Sequence, residues 1–175
     1  NNRKLYDKWR HILTKNHFSN AQNVYFARDK SAGKKTILVI DHYVPQPDKD
    51  AGSRTMIHIM TSLLNMGMNV KFWPQNLWYD PIYTPKLQAL GVEVFYGSTY
   101  SGHFQSWVKD NAEHLDYVFL SRPYVALEYI DILRKNSHAT LVYYGHDIHH
   151  LRIAEQLKFE PENASLKRDF DAFLK

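Results

Sequence analysis

Between Thr36 and Tyr144 the apolar residues fall into two alternating rhythms, short unbroken runs and longer stripes with helical spacing. Thr36-Ile37-Leu38-Val39-Ile40 is a β-branched run of the kind seen in a strand buried on both faces. A polar loop with two prolines follows. Ala51 to Met66 then carries Met56, Ile59, Met60, Leu63 and Leu64 on one helical stripe, which stops at Gly67 as a C-cap should. Asn69 to Trp73 predicts a second strand, Pro85 to Leu90 a short helix ending at Gly91, and Val92 to Phe95 a third strand. Phe104 to Leu115 reads as a helix, Tyr117 to Leu120 as a strand, Val125 to Lys135 as a helix, and Thr140 to Tyr144 as a fifth buried strand. From His149 the pattern is helical again, interrupted at Pro161 and resumed by Leu166, Phe170, Phe173 and Leu174.

Strands and helices in strict alternation imply an α/β fold, a Rossmann-like doubly wound parallel sheet. Right-handed crossovers favour the strand order 3-2-1-4-5. Residues 34–158 form this domain. Residues 1–33 form a helical extension and linker, in which Leu5, Trp9, Ile12 and Leu13 define an amphipathic helix expected to pack on the domain's edge. Residues 159–175 form a helical segment expected to lead towards a further domain.

Composition narrows the class only a little. In 175 residues, 44% hydrophobic and 23% charged, there is material for one ordinary core. The absence of cysteine removes disulfides and thiolate metal sites. No apolar run approaches the ~18 residues that span a bilayer. A net charge of +4 suits anionic small ligands or an acidic membrane surface and is too weak to argue for nucleic acid.

In an open parallel sheet, ligands bind beyond the carboxyl ends of the strands where their order reverses, here between the first and fourth strands. Strand one ends in Asp41-His42-Tyr43, strand four in Ser121-Arg122-Pro123, and strand five in Gly145-His146-Asp147. The amino ends offer a plainer set: Lys34, Lys35, Asn69, Asp116 and Ala139. Asp50-Ala51-Gly52-Ser53-Arg54 opens the first helix of the sheet domain. Small residues there let an anion approach free N–H groups, and Arg54 adds a guanidinium for phosphate. It is not a dinucleotide fingerprint, since G-x-G-x-x-G is lacking. In Gly145 to Arg152, His146 and His149 or His150 share a helical face, but the zinc patterns H-E-x-x-H and H-x-x-E-H are absent, and no metal is assigned.

The runs Ile37–His42, Asp50–Arg54, Leu120–Pro123 and His146–Arg152 together resemble the amino-terminal domain of family 4 glycosyltransferases, most of all those of bacterial polysaccharide synthesis. The resemblance covers about residues 34 to 158, and the D-x-H-x-x-R stretch from Asp147 to Arg152 is its most specific part. It implies one half of a GT-B fold, in which two Rossmann-like domains face across a cleft. The amino-terminal half mainly receives the acceptor, and the other holds most of the nucleotide-sugar donor. Such enzymes retain anomeric configuration and use no cofactor or metal. Carried over, Gly52 lies at the donor phosphates, and Arg54 lines the cleft with His146 and Asp147, the pair nearest the reacting sugar. His42, Ser53, Arg122, His149 and Arg152 complete the expected substrate-binding set. Relatives carry a single His where this chain has His146 and His149, and the resemblance does not choose between them.

The implied partners are a nucleotide-sugar donor, a glycan acceptor and a carboxy-terminal Rossmann-like domain, with a cytoplasmic location peripheral to the membrane. A non-catalytic binding or scaffolding module within a polysaccharide synthase is the alternative from another class. A receiver-like phosphorylation domain fits poorly, because Phe95-Tyr96-Gly97 stands where a phosphoacceptor Asp would follow strand three.

Overall fold

The computed structural model describes residues 2–18, 32–145 and 149–173. A first helix, α1 (Asn2–Asn16), precedes an alternating series. It runs β1 (Thr36–Asp41), α2 (Ala51–Asn65), β2 (Asn69–Pro74), α3 (Tyr83–Ala89), β3 (Glu93–Val94), α4 (Phe104–Asn111), β4 (Tyr117–Ser121), α5 (Pro123–Asn136) and β5 (Thr140–Tyr144). Two further helices follow, α6 (His149–Phe159) and α7 (Ala164–Phe173), which pack on one another. The five strands form one parallel sheet in the order β3-β2-β1-β4-β5, as the sequence predicts.

Every residue of β1 is buried, and its side chains divide by parity. Ile37 and Val39 face a cluster with Val70, Phe72 and Val94 beneath Met56 and Met60 of α2 and Leu87 of α3. Leu38 and Ile40 face the opposite cluster, where Trp73, Val118 and Leu120 meet Phe104 and Val108 of α4 and Val125, Tyr129 and Leu133 of α5. Trp73 organises that second cluster, with the rings of Phe95, Phe104 and Trp107 centred 5.2, 4.9 and 5.5 Å away. The turn after α2 follows from Gly67 at φ +81, whose N–H donates to Leu64 O while Met68 N–H reaches back to Leu63 O.

Several expectations are corrected. The fifth strand is not buried: β5 forms an edge, and Val142, Tyr143 and Tyr144 are 40, 54 and 36% exposed. Leu141 packs on the α5 side, but on the other face Val142 opens into an apolar groove of about 690 Å³ shared with Ile37, Tyr117 and Phe119. Helix α1 forms, with Leu5, Tyr6 and Trp9 exposed and none of its residues buried. Helix α3 starts two residues before Pro85, because the Asp80 carboxylate accepts the N–H groups of Ile82 and Tyr83 and nucleates the turn earlier. Only Glu93 and Val94 pair as β3, although Phe95 N–H still donates to Phe72 O. The helix beginning at Phe104 ends at Asn111 and tightens into a 3₁₀ turn over Ala112–His114.

The polar residues at the amino end of the sheet serve structure. Lys35 Nζ lies 2.5 Å from Asp116 Oδ1, and Asp116 Oδ2 accepts the Thr36 N–H at 2.9 Å, tying the starts of β1 and β4 together.

Candidate functional site

The carboxyl end of β1 delivers Asp41 to the point where strand order reverses, and the neighbouring β4 delivers Arg122. Asp41 is 2% exposed. Its Oδ1 accepts from Arg122 Nε at 2.7 Å and from the His42 backbone N–H at 2.8 Å, and lies 3.3 Å from His42 Nδ1. No hydrogen bond to Oδ2 is formed among the described residues. A carboxylate only accepts, so a hydrogen bond from His42 to it places a proton on Nδ1.

The electrostatics follow from these contacts. Burial pushes the Asp41 carboxyl up, but the His42 side chain and the Arg122 guanidinium outweigh it and hold the group below the ordinary carboxylate range. Burial pulls Arg122 down, while the Asp41 charge more than compensates and raises it. The site therefore presents a formed carboxylate–guanidinium pair, with an imidazole beside it.

Backbone strain marks the same place. Arg122 has φ +68 and ψ +138, outside the regions open to a side chain bearing Cβ. Pro123 at the start of α5 forbids helical ψ at Arg122, which accounts for ψ but not for φ. The Arg122 N–H donates to Tyr144 O (3.1 Å), while its C=O accepts from Ala126 N–H (2.9 Å). One residue thus joins the end of β5 to the first turn of α5. Leu77, at φ +48 three residues beyond β2, is the other non-glycine with positive φ among the described residues. Strain at the ends of the strands on both sides of β1 costs on the order of 1–3 kcal/mol per residue and gathers where ligands are handled.

The entrance of α2 is built differently from the sequence expectation. Asp50 caps the helix: its Oδ1 accepts the Ser53 N–H at 2.7 Å, and its Oδ2 accepts the Ser53 hydroxyl at 2.6 Å and the Tyr43 hydroxyl at 2.9 Å. Burial raises Asp50, but these three donors prevail and lower it. Ser53, expected to face a ligand, is 2% exposed and spends both donors on the cap. The capping carboxylate supplies in cis the negative charge that this helix end favours. Gly52 lies half-buried in the first turn, and Arg54 is exposed.

His42 stands edge-on to Tyr43 and Tyr124, with ring centres 3.7 and 6.2 Å away. The structure thus brings His42 and Arg122 together on Asp41. His146 and Asp147 lie outside the described residues, as does the side chain of His149, the first residue of α6. Arg152 is exposed on α6. Among the described residues no three His, Asp or Glu side chains gather as a metal site, and no helix is long and apolar enough to cross a membrane.

Asp41, with Tyr43, stands at the end of strand one that the sequence assigns to the crevice, whereas Asp50 and Tyr124 were not among the expected binding residues. Asp50 had a signal: it precedes an apolar helical stripe as an N-cap does. Compared with known proteins, the chain matches no family model, no curated protein and no solved structure, so the reading of this site rests on its own residues and geometry.

Proposed function

We propose that the chain is the amino-terminal, acceptor-side half of a retaining GT-B glycosyltransferase. It would act in the cytoplasm at the inner face of the membrane, moving a sugar from a nucleotide-sugar donor to a growing bacterial surface glycan such as an O-antigen. The observation that carries the reading is the Asp41–Arg122 pair, set between β1 and β4 with its arginine held in a strained backbone. Sugar transfer makes two electrostatic demands. A departing nucleoside diphosphate needs cationic donors, and an oxocarbenium-like sugar needs an anionic or basic group close by. The guanidinium of Arg122, with Arg54 on α2, suits the first demand. The Asp41 carboxylate and His42 suit the second, the demand for which the resemblance names His146 and Asp147. A second Rossmann-like domain would supply the facing wall and most of the donor contacts.

The second reading, a binding or scaffolding module, draws support from the self-neutralised pair and from the helix entrance closed by Asp50. Sugar transfer from a panel of nucleotide sugars to a lipid-linked glycan, assayed with the polypeptide that carries both domains, separates the two. Transfer that collapses in Arg122→Ala but survives Lys109→Ala on the outer surface of α4 supports the enzyme. Transfer indifferent to both favours the module. The 175-residue chain by itself is expected to transfer no sugar, because catalysis needs both walls of the cleft. Sustained multiple turnover by it would contradict this.

A further inference from the structure

Beyond the Asp41–Arg122 crevice, the loop leaving β2 builds a second polar cleft with an aromatic wall. The chain leaves β2 at Pro74 and turns back at once, Leu77 N–H donating to Pro74 O at 2.9 Å with Leu77 at φ +48. Gly97 N–H donates to Leu77 O at 2.9 Å, and Trp78 N–H donates to Asn76 Oδ1 at 3.1 Å. The backbone on either side of Trp78 is therefore fixed, yet its indole is 67% exposed. Trp78 is thus an exposed aromatic residue one position after a residue with positive φ.

Trp78 borders a cleft of about 270 Å³ that is also lined by Tyr43, Val44, Gln46, Asn76 and Asp80. Asp80 Oδ1 accepts from Ile82 and Tyr83 N–H, and Oδ2 accepts from Gln46 Nε2 at 3.1 Å, which leaves acceptor capacity on the carboxylate. Gln46 Oε1 and Asn76 Nδ2 have no hydrogen-bond partner among the described residues. The cleft thus offers an aromatic residue in Trp78, two acceptors and a donor, with no lysine or arginine among the described residues that line it. A pyranose ring has the matching chemistry: one face of C–H groups, and a rim of hydroxyls that each donate and accept. A phosphate would meet Asp80 with no cation to offset it. The volume lies just below the ~300 Å³ at which drug-sized sites begin, room for one ring rather than a chain.

We propose that this cleft is a subsite for a single neutral pyranose, stacked on Trp78 and hydrogen-bonded by Asp80, Asn76 and Gln46. It adjoins the first site, because Gln75 N–H donates to Asp41 O at 2.7 Å and Asn76 N–H to His42 O at 3.2 Å. That this ring belongs to the glycan acceptor rests on the transfer reading; that the cleft binds a neutral sugar does not.

The four tryptophans each give an indole N–H resonance, and Trp78→Phe assigns the one in question. The labelled protein is titrated with methyl β-D-glucopyranoside, methyl β-D-galactopyranoside and methyl α-D-mannopyranoside, with glycerol and uridine as controls. At least one glycoside should move the Trp78 resonance saturably, with a midpoint on the order of millimolar. Asn76→Ala should weaken that binding by at least about threefold, because it removes a donor to the sugar and also the acceptor that holds the Trp78 backbone N–H. Saturation transfer to the glycoside should vanish in Trp78→Ala, whose exposed ring can be removed without unfolding the chain. If no glycoside moves the resonance beyond the glycerol response, or if uridine moves it at lower concentration than any glycoside, the proposal is overturned. Glycoside binding without transfer by the two-domain polypeptide would remove the transfer reading and leave the subsite standing. Transfer undiminished in Trp78→Ala, with no glycoside bound, would do the reverse.

Discussion

Arg122 Nε donates to Asp41 Oδ1 at 2.7 Å, bridging the ends of the two strands between which the order of the sheet reverses. Asp41 is buried and the Arg122 side chain is 18% exposed, so each shields the other from an uncompensated charge. Breaking the pair from one side leaves the partner stranded. Asp41→Ala should therefore cost about 2–3 kcal/mol, towards the lower end for buried pairs because Arg122 keeps some solvent. Urea unfolding of wild type and variant checks this, and a loss under half a kcal/mol would mean that the pair is incidental.

The strain at Arg122 can be separated from its charge. Arg122→Ala and Arg122→Gly both remove the guanidinium, but only glycine accepts φ +68 without a steric penalty. The glycine variant should be the more stable of the two by about 1 kcal/mol, even though glycine costs more chain entropy on folding. Equal unfolding midpoints would show that the backbone at this turn relaxes freely.

Asp50 binds Ser53 and Tyr43 at the entrance of α2. Asp50→Ala should destabilise by about 1–2 kcal/mol, the upper part of the range for an N-cap, because the Tyr43 hydroxyl also loses its acceptor. Asp50→Ser should recover part of that loss, since serine still caps. Thermal melts of the two variants decide the matter, and identical melting temperatures would argue against the cap.

Asp41, Asp50 and Asp116 are all held below the ordinary carboxylate range. In each, burial pushes the group up and is outweighed by its hydrogen-bond and charge partners. A lowered folded-state pKa gives stability that is full above the unfolded value of ~3.9 and is lost as pH falls through the lower folded values. Unfolding midpoints should hold between about pH 7 and pH 5 and fall steadily below about pH 4. In Asp116→Asn the acid loss should be shallower. A midpoint that stays flat down to about pH 3 would contradict these assignments.

Much of this architecture was legible in the chain because buried parallel strands write themselves as unbroken apolar runs. Thr36–Ile40 and Asn69–Trp73 are such runs, and Gly67 marks a helix end because it readily adopts the left-handed backbone that other residues avoid. What escaped depends on tertiary arrangement. Thr140–Tyr144 reads as a buried strand, and nothing local reveals that its position in the sheet order is an edge. Ser53 looks like a phosphate contact until Tyr43, seven residues before Asp50, is seen to complete a cap with it. Asp41 and Arg122, 81 residues apart, were placed at one crevice by the strand order read from the sequence, but their direct hydrogen bond was not. The strain at Leu77 and Arg122 has no sequence signature at all.

His42 gives the most direct test, because it touches Asp41 Oδ1 and yet its side chain is 25% exposed, so its removal should disturb packing little. The measurement is the turnover number for sugar transfer by the two-domain polypeptide carrying His42→Ala, with its melting temperature taken on the same preparation. The account predicts a fall in turnover of about two to three orders of magnitude, the ~2–4 kcal/mol that one well-placed polar group contributes to a transition state, with melting close to wild type. Wild-type turnover at wild-type melting would contradict it, and would leave Asp41, His42 and Arg122 as a structural clasp between two strands.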